Sequence, residues 1–234
     1  MQLCDGVNGN EYGGWVLGGY GTSSDVDITA MALQALAPYY NDDTVYTYTN
    51  EISNNEVSKT VRQCVDEALE RLGSMQNANG GFASWNTDNV ESISQVVVAL
   101  CSLGINPTSD SRFISTEGKS LLDGMLRFKL TDGGFCHVLG GGWNSMATDQ
   151  ATYALVSYWR LENGMRALYD MRGARSAADD AAIAAAQTAI AAANDPTAAD
   201  YKALLKTALA AFRAVSKGER RYVDNYSLLA AGLD

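Results

Sequence analysis

The chain has 234 residues, of which 47% are apolar, and its formal net charge is −10. This length and composition can bury a hydrophobic core and suit one large domain or two small ones. The acidic balance argues against nucleic acid and against an anionic membrane as partners, because both require a basic surface. The sequence has no run of about 18 apolar residues and no charged segment followed by an apolar one at its start, so it predicts neither direct membrane insertion nor a signal peptide.

Charge and composition change near Gly164. Residues 1–164 contain 8 Lys/Arg, 19 Asp/Glu and all four Trp, whereas residues 165–234 contain 9 Lys/Arg, 8 Asp/Glu and 22 Ala. A shift of this kind indicates a change of domain. The sequence therefore predicts one domain over residues 1–164 and an Ala-rich domain over residues 165–234.

A Gly-Gly-aromatic triplet occurs three times in the first part, each time ahead of an apolar run that contains Ala-Leu. The triplets are Gly13-Gly14-Trp15, Gly80-Gly81-Phe82 and Gly133-Gly134-Phe135. The first Gly precedes the Ala of Ala-Leu by 19, 19 and 21 residues. This nearly constant spacing identifies an internal repeat, each copy of which is predicted to be helix, turn, helix. The first triplet leaves no room for a preceding helix, so the chain is expected to be a piece of a longer protein.

The segment between the first two repeats is polar and rich in Tyr and Thr. Its centre, Thr44–Thr49, alternates β-branched and aromatic residues. This alternation predicts a short β-hairpin near residues 44–52.

The two helices predicted in a repeat differ in their apolar pattern. Residues 59–75 place apolar and charged side chains on opposite faces, which predicts a helix with one exposed face. Residues 92–103 are apolar around most of the helix, which predicts burial. Residues 120–128 and 150–158 show the same contrast, because the first segment is amphipathic and the second is richer in apolar and aromatic residues. The pattern describes an all-α fold, a partial α/α toroid of about three αα-hairpins with outer and inner helices.

The turns between the paired helices are predicted from their glycines and acids. The first Gly of each triplet is expected to end the outer helix with a positive φ, and the aromatic to enter the core. Acidic residues follow each turn and predict N-caps for the inner helices. These acids are Asp25 and Asp27, Asp88 and Glu91, and Asp149.

The second part contains three Ala-rich helical runs separated by breaks. They cover residues 177–193, 198–215 and 219–231. Short connections between three helices predict a small antiparallel three-helix bundle.

Four cysteines and one histidine show no spacing typical of a metal site. They are Cys4, Cys64, Cys101, Cys136 and His137. Cys64 and Cys101 fall on apolar helix faces, which favours free buried thiols over a disulfide. His137 next to Cys136 is interpreted as incidental, because a nucleophilic pair must face each other in space.

The segment Gln76–Phe82 resembles the Gln-x-x-x-Gly-x-Trp repeat of squalene-hopene cyclases, with Phe in place of Trp. The predicted αα-hairpins of this chain are similar to those of the α/α-toroid superfamily. That superfamily includes squalene-hopene cyclases, prenyltransferase β subunits and cobalamin carriers of the transcobalamin type. Residues 27–36 and 94–100 look more like the prenyltransferase-repeat surface proteins of Gram-positive gut bacteria. Residues 219–226 resemble the small helical modules of such proteins. The resemblance implies a non-catalytic ligand-binding or structural segment, at the cell surface and beside other domains of a longer chain.

One motif resembles an enzyme site. Residues 25–30, Asp-Val-Asp-Ile-Thr-Ala, are similar to the Asp-x-Asp-Asp-Thr-Ala motif of class II terpenoid cyclases. This resemblance implies that Asp27, supported by Asp25, would protonate an alkene or epoxide. Ile28 stands where the motif has a further Asp, so one carboxylate is missing. The alternative interpretation is that Asp25 or Asp27 caps the inner helix.

The preferred hypothesis is a binding surface beside the turns. Exposed aromatics next to acidic helix starts suit sugar rings or a flat cofactor. The candidate ligand-binding residues are Trp85, Trp143, Asp25, Asp27 and Asp149. The expected partner is a small molecule or glycan, and the resemblance to cobalamin carriers adds cobalamin as a candidate ligand. No other cofactor and no metal is predicted.

Overall fold

The computed structural model describes residues 2–5, 12–17, 23–50, 54–170, 176–216 and 219–233. It is 53% helix and 11% strand, which confirms the mainly helical class. The chain divides into two compact units, 1–170 and 171–234, so the boundary lies a few residues after Gly164. None of the helices in the described residues combines the length and apolar character needed to span a bilayer.

The described part of the first unit contains five α-helices and three antiparallel strand pairs. The helices are α1 Val26–Leu36, α2 Val61–Met75, α3 Val90–Ser102, α4 Leu121–Leu126 and α5 Ser145–Glu162. The strand pairs are β1 Gln2–Asp5 with β2 Tyr12–Val16, β3 Val45–Thr49 with β4 Glu56–Thr60, and β5 Ala83–Ser84 with β6 Thr87–Asp88.

Helix α3 is the centre of the first unit. It packs against α1, α4 and α5, and every residue from Val90 to Cys101 is buried. Helix α2 packs on α1 and on β2, and it buries one apolar stripe that includes Val65 and Leu72. The contrast between a buried α3 and a half-exposed α2 is the one that the sequence predicts.

Helix α5 departs from the expected pattern. It begins at Ser145, five residues before the predicted start, and its buried residues form a single stripe of small side chains against α3. That stripe consists of Ala147, Ala151, Ala154 and Ser157. The opposite face carries exposed Trp159. The prediction that the third inner helix is buried like the second is therefore wrong, because α5 lies at the edge of the α1–α3–α5 layer and needs only one stripe for its contact with α3.

The hairpin predicted near residues 44–52 is present but extends further. Its register runs from Val45 opposite Thr60 to Thr49 opposite Glu56. Thr60 also caps α2: its hydroxyl accepts the Gln63 amide at 3.2 Å, and the Gln63 side chain accepts the Thr60 amide at 2.8 Å. This capping box explains why α2 begins at Val61 and not at the predicted residue 59.

The three repeats share a backbone hydrogen bond that joins the triplet to its inner helix. The amide of each N-cap residue donates to the carbonyl of the triplet aromatic, at 2.8 Å for Asp25 to Trp15, 3.4 Å for Asn89 to Phe82 and 3.0 Å for Asn144 to Phe135. The side chain of each N-cap accepts from a backbone amide three residues ahead. Asp25 was predicted as a cap and is confirmed. Asp88, Glu91 and Asp149 are wrong as caps, because the two asparagines take that place.

Two of the three triplets contact the next outer helix. Gly13, Gly80 and Gly133 all have positive φ, at +75°, +84° and +93°. A Cβ on Gly13 would lie 2.5 Å from the Glu67 carbonyl oxygen in α2, and one on Gly80 would lie 2.4 Å from that of Ser120, the N-cap of α4. A Cβ on Gly133 would have no described atom within 4 Å.

The triplet glycines do not end the outer helices as predicted. Helix α2 ends at Met75, and Gly80 closes a separate turn by donating its amide to the Asn77 carbonyl. The first triplet lies within strand β2. The aromatics behave as expected: Phe82 and Phe135 are buried, and Trp15 packs against the same core.

The second unit contains α6 Ala177–Ala192, α7 Tyr201–Ala214 and α8 Tyr226–Leu233, which contact one another. Its core is built mainly from Ile183, Ile190, Ala208 and Leu229. The last helix starts later than predicted, because residues 220–222 form a 3-10 turn. The Arg220 guanidinium ties this turn to the end of α7 by donating to the Arg213 carbonyl at 2.9 Å.

Candidate functional site

A pocket of about 400 Å³ lies on the first unit beside the starts of the inner helices. This volume is at the small end of the range for ligand pockets. The helices contribute Asp27, Met31, Glu91, Gln95, Met146 and Gln150 to its lining. The turns contribute Ser84, Trp85, Thr87, Asn89 and His137.

The six helical residues occupy equivalent positions in the three repeats. Asp27, Glu91 and Met146 each lie two residues after the N-cap, and Met31, Gln95 and Gln150 each lie six residues after it. Residues four apart in a helix share a face. Because α3 packs between α1 and α5, the equivalent faces of the three helices line one pocket. The repeat therefore builds the site as well as the fold.

Asp27 is a half-buried carboxyl in the first turn of α1. Burial raises its pKa, the nearby Asp25 and Glu91 charges raise it further, and the hydroxyls of Ser92 and Ser84 partly offset the increase. Its Oδ1 atom is buried and has no hydrogen-bond partner among the residues that the structure describes. Asp27 is thus not a helix cap, and its charged form is disfavoured in the unliganded pocket.

Replacing Asp27 by asparagine is expected to stabilise the protein at pH 7. The pKa of Asp27 is raised above 3.8, so ionisation at neutral pH opposes folding, whereas below pH 3.8 the carboxyl is protonated in both the folded and the unfolded state. We expect a gain of about 0.5–1 kcal/mol, kept small by partial exposure, or about 1–4 °C in Tm. Thermal unfolding of both proteins at pH 7 and pH 3.5 measures it. A gain in stability that persists unchanged at pH 3.5 would contradict a raised pKa of Asp27 as its cause.

Glu91 and His137 contact each other at the pocket. The Nδ1 atom of His137 lies 2.9 Å from Oε2 of Glu91. Glu91 is only 7% exposed, whereas half of the His137 side chain is accessible. The other carboxylate oxygen of Glu91, Oε1, is buried without a partner within the described part of the chain. The interpretation of His137 as incidental is therefore replaced by a role in holding Glu91.

A chain of amide hydrogen bonds crosses the three inner helices. Gln34 in α1 donates to the side-chain oxygen of Gln95 in α3 at 3.0 Å, and Gln95 donates to Gln150 in α5 at 3.0 Å. Gln95 also contacts the hydroxyl of Tyr153, whose pKa is raised to about 12 by burial. Two of these amides, Gln95 and Gln150, line the pocket. The network fixes their orientation before any ligand enters.

Trp85 lies at the rim of the pocket on a strained turn. It forms, with Asn86, the two-residue loop between β5 and β6, and both residues have positive φ, at +49° and +61°. Such a loop normally uses Asn and Gly, and a bulky residue in this region costs about 1 kcal/mol. Even so, Trp85 is 87% exposed and gains no core packing in return. Strain of this kind at a pocket is an indication of function.

The structure brings together two of the five predicted site residues. Asp27 and Trp85 line the pocket, whereas Asp25 caps α1, with Oδ1 accepting from the Ile28 amide at 2.9 Å. Trp143 is 60% exposed but packs over Gly134, outside the pocket lining. Asp149 is exposed on α5, one residue before Gln150, and also lies outside the lining.

None of the described cysteines lines the pocket. Cys64, Cys101 and Cys136 are free thiols, and burial raises the pKa of Cys64 and, to about 12, that of Cys101. The side chain of Cys4 lies outside the described residues. In the part of the chain that is described, no three His, Cys, Asp or Glu side chains are grouped as metal ligands.

Comparisons with models of protein families, with curated proteins and with solved structures found no match to this chain. The functional argument therefore rests on the pocket and its residues.

Proposed function

We propose that the first unit is a non-catalytic binding module for a glycan, which it holds in the pocket at the starts of α1, α3 and α5. The observation that carries the proposal is Trp85, an exposed aromatic on a strained turn at the rim of a pocket that contains carboxyl and amide groups. Its indole face offers a flat apolar surface to a sugar ring. The carboxylates and amides below it offer hydrogen bonds to hydroxyl groups.

The polar groups of the pocket suit hydroxyl-rich ligands in particular. The lining includes two carboxyl groups, Asp27 and Glu91, and two amides that are already oriented, Gln95 and Gln150. Sugar hydroxyls donate and accept, so they match such a mixture. Met31 in α1 and Met146 in α5 add apolar contact on either side of α3.

The wider setting follows the sequence resemblance. We propose that the first unit is a partial α/α toroid of three hairpins, that the second is a three-helix bundle, and that both belong to an extracellular bacterial surface protein. The support is the resemblance of residues 27–36, 94–100 and 219–226 to such proteins. The carrier resemblance adds cobalamin as a ligand to be included in any binding panel.

The cyclase hypothesis has one observation in its favour and one against it. The raised pKa of Asp27 suits a general acid. However, Trp85 is the one Trp, Tyr or Phe in the lining among the described residues, whereas a carbocation requires a dry wall of aromatic faces. We therefore propose binding and expect no cyclised product from squalene, with Asp27→Asn as the comparison; a product made only by the unmodified protein would revive the enzyme hypothesis.

Replacing Trp85 by alanine is expected to weaken glycan binding at least tenfold, because the sugar ring loses its stacking surface. Calorimetric titration with cellobiose, lactose, N,N′-diacetylchitobiose and the glucosamine β-1,4 disaccharide measures the change. Trp143→Ala is the matched control, since Trp143 is also exposed but lies outside the pocket. We expect it to leave every dissociation constant within about twofold.

Two results would contradict the proposal. The first is that none of the four disaccharides binds, in which case the same titration with cobalamin decides between another ligand and a structural role. The second is that Trp143→Ala weakens binding as much as Trp85→Ala, which would place the ligand elsewhere on the unit.

A further inference from the structure

Resting on the proposed glycan function, we propose that the preferred ligand carries a protonated amino group between Asp27 and Glu91, as an unacetylated amino sugar does.

The pocket has carboxyl groups but little positive charge of its own. Asp27 on α1 and Glu91 on α3 both line it, and Asp25 is close enough to act on Asp27. The lining includes no Lys and no Arg among the described residues, and its one basic side chain, His137, contacts Glu91 through Nδ1. The described lining therefore offers no Lys or Arg charge that would balance Asp27.

Both carboxyl groups have an oxygen that makes no hydrogen bond. Oδ1 of Asp27 and Oε1 of Glu91 are buried and have no partner within the described residues. A buried polar atom without a partner is unfavourable for stability. An ammonium group has three donors and no acceptor. It would supply the positive charge and the donors that the two carboxyl groups lack.

The acidic residues of the three repeats lie at one side of the pocket. The position two residues after the N-cap is Asp27 in α1 and Glu91 in α3, but Met146 in α5. An amino group is therefore expected against α1 and α3. The neutral part of the ligand then lies toward α5, where Met146 and Gln150 offer an apolar contact and an amide. This asymmetry favours a ligand with an amino group on the ring that lies against α1 and α3.

A bare metal cation fits the site less well than an amine. A metal ion needs several carboxylate, imidazole or thiolate ligands around one point, and the described residues hold no group of three such side chains. An organic ammonium needs fewer contacts and brings a sugar ring for Trp85 to stack on.

The test compares the glucosamine β-1,4 disaccharide with cellobiose at pH 6. The two molecules share a linkage and differ by an amino or a hydroxyl group on carbon 2 of each ring. We expect the glucosamine disaccharide to bind at least tenfold more tightly in calorimetric titrations. N,N′-diacetylchitobiose, in which the nitrogen is neutral, is expected to bind like cellobiose.

Charge-removing variants locate the amino group. Glu91→Gln and Asp27→Asn keep the shapes of the side chains, and each is expected to reduce the tenfold preference to threefold or less. Asp149→Asn is the matched control, because it removes an exposed acid of α5 outside the pocket. We expect it to leave the preference unchanged. Having two variants on different helices keeps the test valid if one of them folds poorly.

Each outcome has a distinct meaning. Equal affinity for cellobiose and the glucosamine disaccharide overturns the amino-sugar inference and leaves the glycan proposal standing. No binding of any disaccharide overturns both. A preference for the amine that survives Glu91→Gln and Asp27→Asn overturns the placement between these two residues, and with it the inference.

Discussion

Replacing Gly80 by alanine is expected to lower the free energy of unfolding by about 3–4 kcal/mol, because positive-φ strain and a backbone collision add together. Gly80 has a φ of +84°, and a Cβ there would lie 2.4 Å from the carbonyl oxygen of Ser120. Gly124 in α4 meets the same spot from the other side, since its own Cβ would lie 2.6 Å from the Gly80 carbonyl. The backbone of Gly80 therefore packs on the backbone of α4. Because the closest atoms on both sides belong to the backbone, no flexible side chain can move away to make room for a Cβ.

Gly133→Ala is the matched control for this effect. Gly133 has the same place in the third triplet and a φ of +93°, but a Cβ there would have no described atom within 4 Å. We expect a loss of about 1 kcal/mol from the φ strain alone. Urea unfolding followed by tryptophan fluorescence measures both variants, because all four Trp lie in residues 1–164. Equal losses would mean that the contact between Gly80 and α4 does not stabilise the unit.

Replacing Phe82 by alanine is expected to lower the free energy of unfolding by about 3–5 kcal/mol. Phe82 is fully buried in the core that α3 shares with its neighbours. Removing its ring leaves a cavity and loses the transfer free energy of the aromatic side chain. The same urea titration measures the loss.

Trp85→Ala separates packing from binding, because Trp85 follows Phe82 by three residues and is 87% exposed. We expect it to change the free energy of unfolding by no more than about 0.5 kcal/mol while it removes the stacking surface for the glycan. A loss for Trp85→Ala that approached the loss for Phe82→Ala would show that Trp85 belongs to the core, and the binding proposal would lose its main support.

The sequence predicts the frame of the first unit well because the repeat constrains it. The apolar patterns correctly indicate a buried α3 and an amphipathic α2, and the repeat correctly indicates buried aromatics at Phe82 and Phe135. Helix starts are predicted less well. Acidic residues near the turns suggested caps at Asp88 and Asp149, whereas Asn89 and Asn144 cap α3 and α5. Asparagine and aspartate cap equally well, so composition alone does not decide between neighbours.

The site is only partly predictable. Asp27 and Trp85 are found from an acidic motif and from an aromatic outside the repeat pattern. Glu91 and His137 are missed because they lie 46 residues apart and meet only when the turn after α4 folds against the start of α3. Alignment of the repeats on their N-caps would have found Glu91, Gln95 and Gln150 as equivalents of Asp27 and Met31. The caps themselves, however, are known only from the structure.

Three features of the pocket lining are unfavourable for the stability of the protein by itself. Asp27 is held where burial opposes its charge, Trp85 lies in a strained turn, and Glu91 has a buried oxygen without a partner among the described residues. A bound ligand with hydrogen-bond donors would stabilise the Asp27 carboxylate and the unpartnered Glu91 oxygen, and its flat ring would stack on Trp85.

NMR mapping tests whether equivalent positions of three repeats form one glycan site. A labelled protein is titrated with the glucosamine disaccharide while indole, side-chain amide and methionine methyl signals are followed. We expect the signals of Trp85, Met31, Gln95, Gln150 and Met146 to shift together with one dissociation constant, while the indole of Trp143 does not respond. Shifts confined to one helix, or centred on Trp143, would contradict it.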